Sequence, residues 1–445
     1  MEVLLLVGTR PEAVKAAPVA LALGGHAVLR SVIVHSGQHA GMVEQALEPF
    51  GLNHTEALDV NRGTGTQAEL VAELLPALDE LLTRRRPAAV IVQGDTTTTL
   101  AGALCAFWHG IPVVHLEAGL RTGDLAAPFP EEGNRQMVAR IAALHLAPTE
   151  DAAAALRAEA VAERDIVVTG NTVVDAVLHI AAADRPAVDP SLAAVERDLA
   201  DSGGRLVLVT VHRRESWGAP LDEVLGAVRT MVERHPDIRV VLPTHPNPAV
   251  GAQVRAALGG VERVSITGPL DYPDLVRALR LAALVVTDSG GIQEEAPSFG
   301  APVLVARKVT ERREAVRAGC AWLVGTDRES LLAGADRILG ANLRVPADRN
   351  PFGDGAAARR VLTALERLLL PGSAQSADQL DVRVAQRGER GLRGVGGDGG
   401  GEAEQHRGLE PVAGRVDRGG PHAVVGRDAD DVDLRDSLVP QPLRQ

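Results

Sequence analysis

Short unbroken runs of Val, Ile and Leu recur along the chain. Between them lie longer stretches in which Ala and Leu alternate with Glu, Arg and Asp. Runs this short and this uniformly apolar read as strands buried on both faces, the mark of parallel sheets covered by helices. They fall at residues 3–7, 31–34, 89–92, 113–115, 144–147 and 166–168, and again at 206–211, 238–242, 264–266, 284–287 and 303–305. The alternation predicts βα units with right-handed crossovers, hence an α/β protein. A break falls at Ala183-Asp184-Arg185-Pro186-Ala187-Val188-Asp189-Pro190, where prolines and aspartates end the helix begun after Asn171. One doubly wound domain is therefore expected over residues 1–180 and a second over 181–352. Gly353-Asp354-Gly355 opens a last helical stretch within 353–371. Residues 372–445 contain no Phe, Trp, Tyr, Ile, Lys, Met or Cys, and Gly, Arg, Asp and Val dominate. Such a composition buries too little apolar area to offset its ordering entropy, so this tail is expected to be disordered.

Composition narrows the function class. A formal net charge of -12 argues against a nucleic-acid partner. It does not exclude an anionic ligand, which local cations and backbone N–H groups decide. No stretch approaches the ~18 apolar residues of a membrane helix. The opening apolar run stops at Gly8-Thr9-Arg10-Pro11 with no basic lead, so it reads as a first strand and not a signal peptide. Cys105 and Cys320 match no disulfide or zinc spacing and read as small buried hydrophobes, which fits a cytoplasmic location.

The chemistry lies in turn-like peptides, each just after an apolar run. In an open parallel sheet ligands bind outside the carboxyl ends of the strands, so these peptides can line one cleft. Asp288-Ser289-Gly290-Gly291 precedes a helix, and its glycines let backbone N–H groups approach a phosphate. Glu294-Glu295 follows, placing a carboxylate where ribose hydroxyls can be held; an ordinary acidic first turn would look the same. Gly8-Thr9-Arg10-Pro11-Glu12 is neither a Walker loop nor a G-x-G-x-x-G fingerprint. Arg10 and Lys15 nonetheless suit a diphosphate held without metal, and Arg312 is a third cation of that kind. Asp95, Glu117 and Glu131 each follow a strand or a sharp turn. Converging, they would raise one another's pKa toward the range useful for proton transfer; taken singly, each would be a helix cap or an ion-pair partner. His212 ends a strand of the second half and precedes Arg213-Arg214-Glu215, the setting of an anion or acid–base site.

Taken in order, Gly8–Lys15, Gly94–Thr99, Glu117–Gly123, Pro130–Arg135, Gly170-Asn171-Thr172, His212–Ser216, Thr287–Pro297 and Thr310–Val316 resemble the non-hydrolysing UDP-N-acetylglucosamine 2-epimerase family. The resemblance runs from Met1 to about Leu370. It implies a GT-B type fold: two Rossmann-like doubly wound domains, an interdomain cleft, and a terminal helix returning to the first domain. It implies reversible interconversion of UDP-GlcNAc and UDP-ManNAc with neither NAD nor metal. UDP is eliminated to give a 2-acetamidoglucal, and is then readded. Carried over on the matching motifs, Arg10, Lys15, His212, Ser289, Gly290 and Arg312 are diphosphate or UDP contacts with Gly291 beside them, and Glu295 holds the ribose. Asp95, Glu117, Glu131 and His212 form the catalytic set. The uridine loop departs from the family pattern, with Leu270 and Leu275 at the places usually held by Gln and an aromatic. Val211 and Arg313 also differ from the usual residues.

The resemblance further implies a homodimer, supply of surface or cell-wall polysaccharide, and in many bacterial members a second UDP-GlcNAc as activator. The activator pocket maps onto Gln38, His39, Arg213 and His245, and a second family glutamine stands here as Gly41. The alternatives are epimerisation of a related UDP-sugar such as a 2,3-diacetamido uronic acid, a hydrolysing form that releases free sugar, and a non-catalytic UDP-sugar sensor.

Overall fold

The computed structural model describes residues 1–370 apart from 38–40, 61, 62, 212, 214 and 215. The first half runs β1 (Glu2–Val7), α1 (Arg10–Gly24), β2 (Arg30–His35), α2 (Met42–Leu47), β3 (Glu56–Ala57), α3 (Gln67–Arg85), β4 (Ala89–Gln93), α4 (Thr97–Trp108), β5 (Val113–Leu116), α5 (Glu131–Ile141), β6 (Leu144–Ala147), α6 (Glu150–Ala158), β7 (Ile166–Val168) and α7 (Thr172–Ala182). Its seven strands are all parallel, in the order β3-β2-β1-β4-β5-β6-β7. The second half runs α8 (Pro190–Ser202), β8 (Arg205–Thr210), α9 (Ala219–Arg234), β9 (Ile238–Pro243), α10 (Pro248–Leu258), β10 (Val264–Thr267), α11 (Tyr272–Leu281), β11 (Ala282–Thr287), α12 (Gly290–Glu295), β12 (Val303–Val305), α13 (Arg313–Arg317), β13 (Ala321–Leu323), α14 (Arg328–Gly340) and α15 (Ala357–Leu369). Its sheet is parallel too, in the order β10-β9-β8-β11-β12-β13. These are two Rossmann-like α/β units of the GT-B type.

The apolar runs become strands for the reason their composition gives. Val3, Leu4, Leu5, Leu6 and Val7 are all at most 2% exposed, so both faces of β1 are covered and no position is left for a polar side chain. Helix starts follow the sequence signals. Thr96 Oγ1 accepts from Thr99 N, Thr149 Oγ1 from Ala152 N, and Asn171 Oδ1 from Val173 N. Each cap is worth about 1 kcal/mol. Edge strand β3 has no apolar run to announce it: Glu56-Ala57 is a strand only because β2 offers it an unpaired edge. The short apolar segment Ala321-Trp322-Leu323 pairs as β13 with the outer edge of β12.

The last helix does not stay with the second sheet. Asp175 of α7 accepts from Ala357 N at 3.1 Å and Ala358 N at 2.9 Å, so a carboxylate of the first half caps α15. Val361 and Leu365 are fully buried in the same aliphatic cluster as Val14 and Val173. Each contributes about 1.5–3 kcal/mol of burial. Among the described residues, no helix is long and apolar enough to cross a membrane.

In each sheet the strand order reverses once, between β1 and β4 in the first and between β8 and β11 in the second. At such a point the loops leaving the two strands run to opposite faces and leave a crevice between them. The loop residues there are Gly8–Thr9 and Gly94–Thr96 in the first half, and Val211, Arg213 and Asp288–Ser289 in the second.

Candidate active site

Those loops line one cleft of ≈ 380 Å³. From the first half come Thr9, Arg10, Lys15, Asp95, Thr96, Glu117 and Arg135; from the second come Arg213, Tyr272, Leu275, Ser289, Gly290, Gly291, Glu295 and Arg312. Asp95 and Glu117 therefore line the same cleft as Ser289–Gly291 and Arg312, with the cations Arg10 and Lys15 on the first-half wall beside the acids.

Glu117 is the centre of the acid–base side. It leaves β5 with a φ of 64°, a left-handed conformation rare for a residue with a side chain and found preferentially where function demands it. Two residues on, Gly119 (φ 94°) is forced, since a Cβ there would lie 2.2 Å from the Ala152 carbonyl oxygen. The Glu117 carboxylate is buried. Lys15 Nζ lies 2.5 Å from Oε1, Asn171 Nδ2 donates to Oε1 at 3.2 Å, and Gln93 Nε2 donates to Oε2. Burial pushes the Glu117 carboxyl up, against the pull of Lys15, and the charge of Glu294 adds to the rise. Burial alone would lower Lys15, but Glu117 and Glu294 outweigh it and push it up to about 12, so it stays cationic.

Asp95 is held differently. Its Oδ2 accepts from Arg135 Nη1 at 2.6 Å, and its carbonyl accepts from Asn134 Nδ2 at 2.8 Å. Arg135 is fixed in turn by Glu132, which accepts from its Nη2 at 2.7 Å. His115, fully buried under the same loop, lies with Nε2 2.8 Å from the carbonyl oxygen of Gly94. Burial pushes its pKa down to about 3, so it is a neutral donor to that carbonyl.

On the opposite wall, Arg312 Nε donates to Glu294 Oε1 at 2.9 Å, and Lys15 Nζ crosses from the first half to within 3.2 Å of Glu294 Oε2. Burial opposes charge on Glu294, yet Lys15 and Arg312 hold its carboxyl below the ordinary range. Its neighbour goes the other way. Burial, with the charge of Glu294 adding to it, pushes Glu295 up to about 8, and Tyr272 Oη donates to its Oε1 at 3.4 Å. Gly290 leaves room for Arg312 at the start of α12: a Cβ there would lie 2.8 Å from the guanidinium carbon and would displace it. Asp288 accepts from Arg213 N at 2.9 Å and Ser216 Oγ at 3.1 Å, which ties Arg213 and Ser216 to the end of β11.

Some expected residues stand elsewhere. Glu131 is the first residue of α5, half-buried, and is not among the residues lining the cleft; its neighbour Glu132 turns fully inward to Thr122, Arg135 and Gln136. Leu270 packs into the aliphatic core and is not a lining residue, whereas Tyr272, two residues later, takes the place beside Leu275. His245 lies outside the cleft lining, its ring 5.9 Å from that of Trp217. His212, Gln38 and His39 lie outside the described residues, as does the tail from 371 onward. Composition and motif gave no separate weight to Gln93, Arg135, Asn171 or Glu294. The signals were present: a polar end to an apolar strand, an Asn before a helix, a paired glutamate. What each side chain touches was not.

The model of the family described as UDP-N-acetylglucosamine 2-epimerase matches residues 21–366. The UDP-N-acetylglucosamine 2-epimerase of Yersinia pestis is 42% identical over 372 residues, covering 82% of this chain and 98% of that protein. The enzyme of the same name from Escherichia coli K12 is 41% identical over 382 residues, with the same coverage of each. Among solved structures, UDP-GlcNAc 2-epimerase of Neisseria meningitidis bound to UDP-GlcNAc superposes with a TM-score of 0.73 at 34% identity, covering 82% of this chain and all of that one (100%). The Methanocaldococcus jannaschii enzyme in complex with UDP-GlcNAc and UDP gives a TM-score of 0.67 at 32% identity, over 82% of this chain and 100% of that one. With a family model spanning most of its length, relatives above 40% identity along nearly their whole chains and solved structures that superpose over 82% of it, this chain belongs to the UDP-N-acetylglucosamine 2-epimerase family.

Proposed function

We propose that the chain interconverts UDP-GlcNAc and UDP-ManNAc by reversible inversion at C2. The observation that carries this reading is the pairing across one cleft. Asp95 and a buried Glu117 come from the first half; Arg312, Ser289–Gly291 and Glu295 come from the second. The C2 proton is not flanked by a carbonyl, so a base alone is insufficient, and departure of UDP must supply the driving charge separation. A cleft carboxylate takes the C2 proton as the C1–O bond breaks, and its electron pair leaves with UDP. The products are a 2-acetamidoglucal and UDP. Proton delivery to the opposite face of C2 and return of the UDP oxygen to C1 complete the inversion. Arg10, Lys15 and Arg312 offset the diphosphate charge as it develops. Ser289, Gly290 and Gly291 contact the diphosphate, Glu295 the ribose, and Asp95, Glu117 and His212 serve proton transfer and the cationic sugar; Glu131, at the head of α5 and not among the lining residues, is kept in that set on the family resemblance alone. Tyr272 and Leu275 supply the packing surface of the uridine side.

Several finer readings belong with it. We divide the chain functionally into 1–180 and 181–352, with α15 working as part of the first domain through its Asp175 cap. A homodimer is supported by Phe107, Trp108 and Met137, which are 53%, 63% and 50% exposed on the adjoining helices α4 and α5. A second UDP-GlcNAc as activator is supported by Arg213, which reaches the cleft lining. Two free thiols, Cys105 and Cys320, suit the cytoplasm. The test is proton NMR of UDP-GlcNAc with enzyme in D2O. Deuterium is expected at C2 as UDP-ManNAc appears. Products that retain hydrogen at C2, or free sugar in place of UDP-ManNAc, would defeat the reading.

A further inference from the structure

Glu294 is given no task by the chemistry above, yet it is one of the most enclosed charges in the protein, at 1% exposure. A carboxylate so placed is strongly disfavoured unless cations meet it. Two do, and they come from different halves of the molecule: Lys15 of α1, and Arg312 just before α13. Lys15 also meets Glu117 at 2.5 Å. The four side chains form a line of alternating charge, Arg312–Glu294–Lys15–Glu117, with two anions and two cations.

The donor inventory leaves room for a ligand. A lysine ammonium has three N–H groups and a guanidinium five. Glu117 takes one of the first, while Glu294 Oε2 pairs with the same ammonium by charge at 3.2 Å; Glu294 takes the Nε–H of the second, whose Nη1 also lies 3.6 Å from Glu311 Oε2. Further N–H groups of both cations remain for the cleft that Lys15 and Arg312 line. The charged groups bearing on Glu117 are Lys15 from α1, Glu294 from α12 and Arg312, with uncharged Gln93 and Asn171 completing its partners.

We propose that Glu294 is a positioning residue: it holds Lys15 and Arg312 on one carboxylate so that both face the same diphosphate, and it draws Lys15 off Glu117, leaving that group able to accept a proton. Charge is the means. With Glu294 ionised, Lys15 divides its attention between two anions, and the Glu117 carboxyl stays above its usual range. With Glu294 uncharged, Lys15 belongs to Glu117 alone, and Glu117 becomes a weaker base.

The acid–base part rests on the epimerase reading; the positioning of the two cations does not. The experiment uses Glu294→Gln and Glu294→Asp in the full chain. It reads the pH dependence of kcat/KM with UDP-GlcNAc, the Kd of UDP by calorimetry, and the folded fraction by thermal melting. In E294Q the acidic limb of the profile is expected to move to lower pH, kcat/KM at neutral pH to fall by about 100-fold, and UDP to bind about 10-fold more weakly. E294D keeps the charge but sets it back by one methylene, and is expected to show the same changes at smaller amplitude. It serves as the reading variant should E294Q not fold. An unmoved limb with activity lost only in proportion to unfolded protein would overturn the proposal, as would an unchanged Kd. A wild-type chain that forms no UDP-ManNAc counts against the epimerase reading alone, because the Kd comparison still judges Glu294.

Discussion

Glu12 is the side chain whose replacement gives the most quantitative test of how the cleft is built. It is 2% exposed and touches no expected reacting atom. Its Oε2 accepts from Gly8 N and Thr9 N, both at 2.7 Å, and its Oε1 accepts from Thr96 Oγ1 at 2.5 Å. It therefore ties the loop after β1, which leads into Arg10, to the loop after β4, which carries Asp95. Glu12→Ala strands two backbone donors. Each unmet buried donor is worth about 1–3 kcal/mol, and water can reach part of Thr9, so a net loss of about 3 kcal/mol is expected. Glu12→Gln separates charge from geometry. Its amide oxygen can take the Oε2 position and keep both N–H bonds, while its NH2 meets the Thr96 hydroxyl, which can turn to accept. Burial already pushes the Glu12 carboxyl up, so the neutral amide also escapes part of that penalty. A loss of about 1 kcal/mol is expected for Gln. Urea titration of the three proteins reads the stability difference, and UDP titration reads how far Arg10 has moved. An Ala variant within about 1 kcal/mol of wild type, or a Gln variant as unstable as Ala, would refute the assignment of these bonds as the loop's anchor.

Asp95→Asn should lower turnover by at least about 1000-fold while leaving the Kd of UDP nearly unchanged, since general acid–base groups are worth about 100- to 10,000-fold; steady-state rates and calorimetry decide it. Gly290→Ala should weaken UDP binding by about 10-fold, because the new Cβ would displace the Arg312 guanidinium from 2.8 Å; unaltered affinity would mean that Arg312 is not held for the ligand. Glu295 has a folded pKa raised to about 8 from an ordinary value of 4.5, so it favours the folded state only while protonated. That contribution is present below the ordinary carboxyl range, is lost as pH rises toward about 8, and is flat above it. The thermal advantage of Glu295→Gln over wild type should therefore grow across this window, and a pH-independent difference in Tm would contradict it.

Element type was legible in the sequence because it is a local property. A strand buried on both faces must be apolar throughout, and β1, β4, β8 and β11 all announce themselves in this way. A helix start must find an acceptor for its first N–H groups, and Thr96, Asn171 and Asp189 supply one. The peptides at the strand ends disclosed the family for the same reason, each being contiguous. The tertiary structure decided what no single segment contains. β3, Glu56-Ala57, exists because the edge of β2 was open. α15 leaves its own sheet because an aspartate of α7 and an aliphatic cluster of the first half receive it. Lys15 and Glu294 lie far apart in sequence, on helices that follow β1 and β11 of different sheets, and only the meeting of the two halves brings them to 3.2 Å. Charge carries no periodicity. A segment tells where a carboxylate sits on its own helix, but its partner is set by which strands lie side by side.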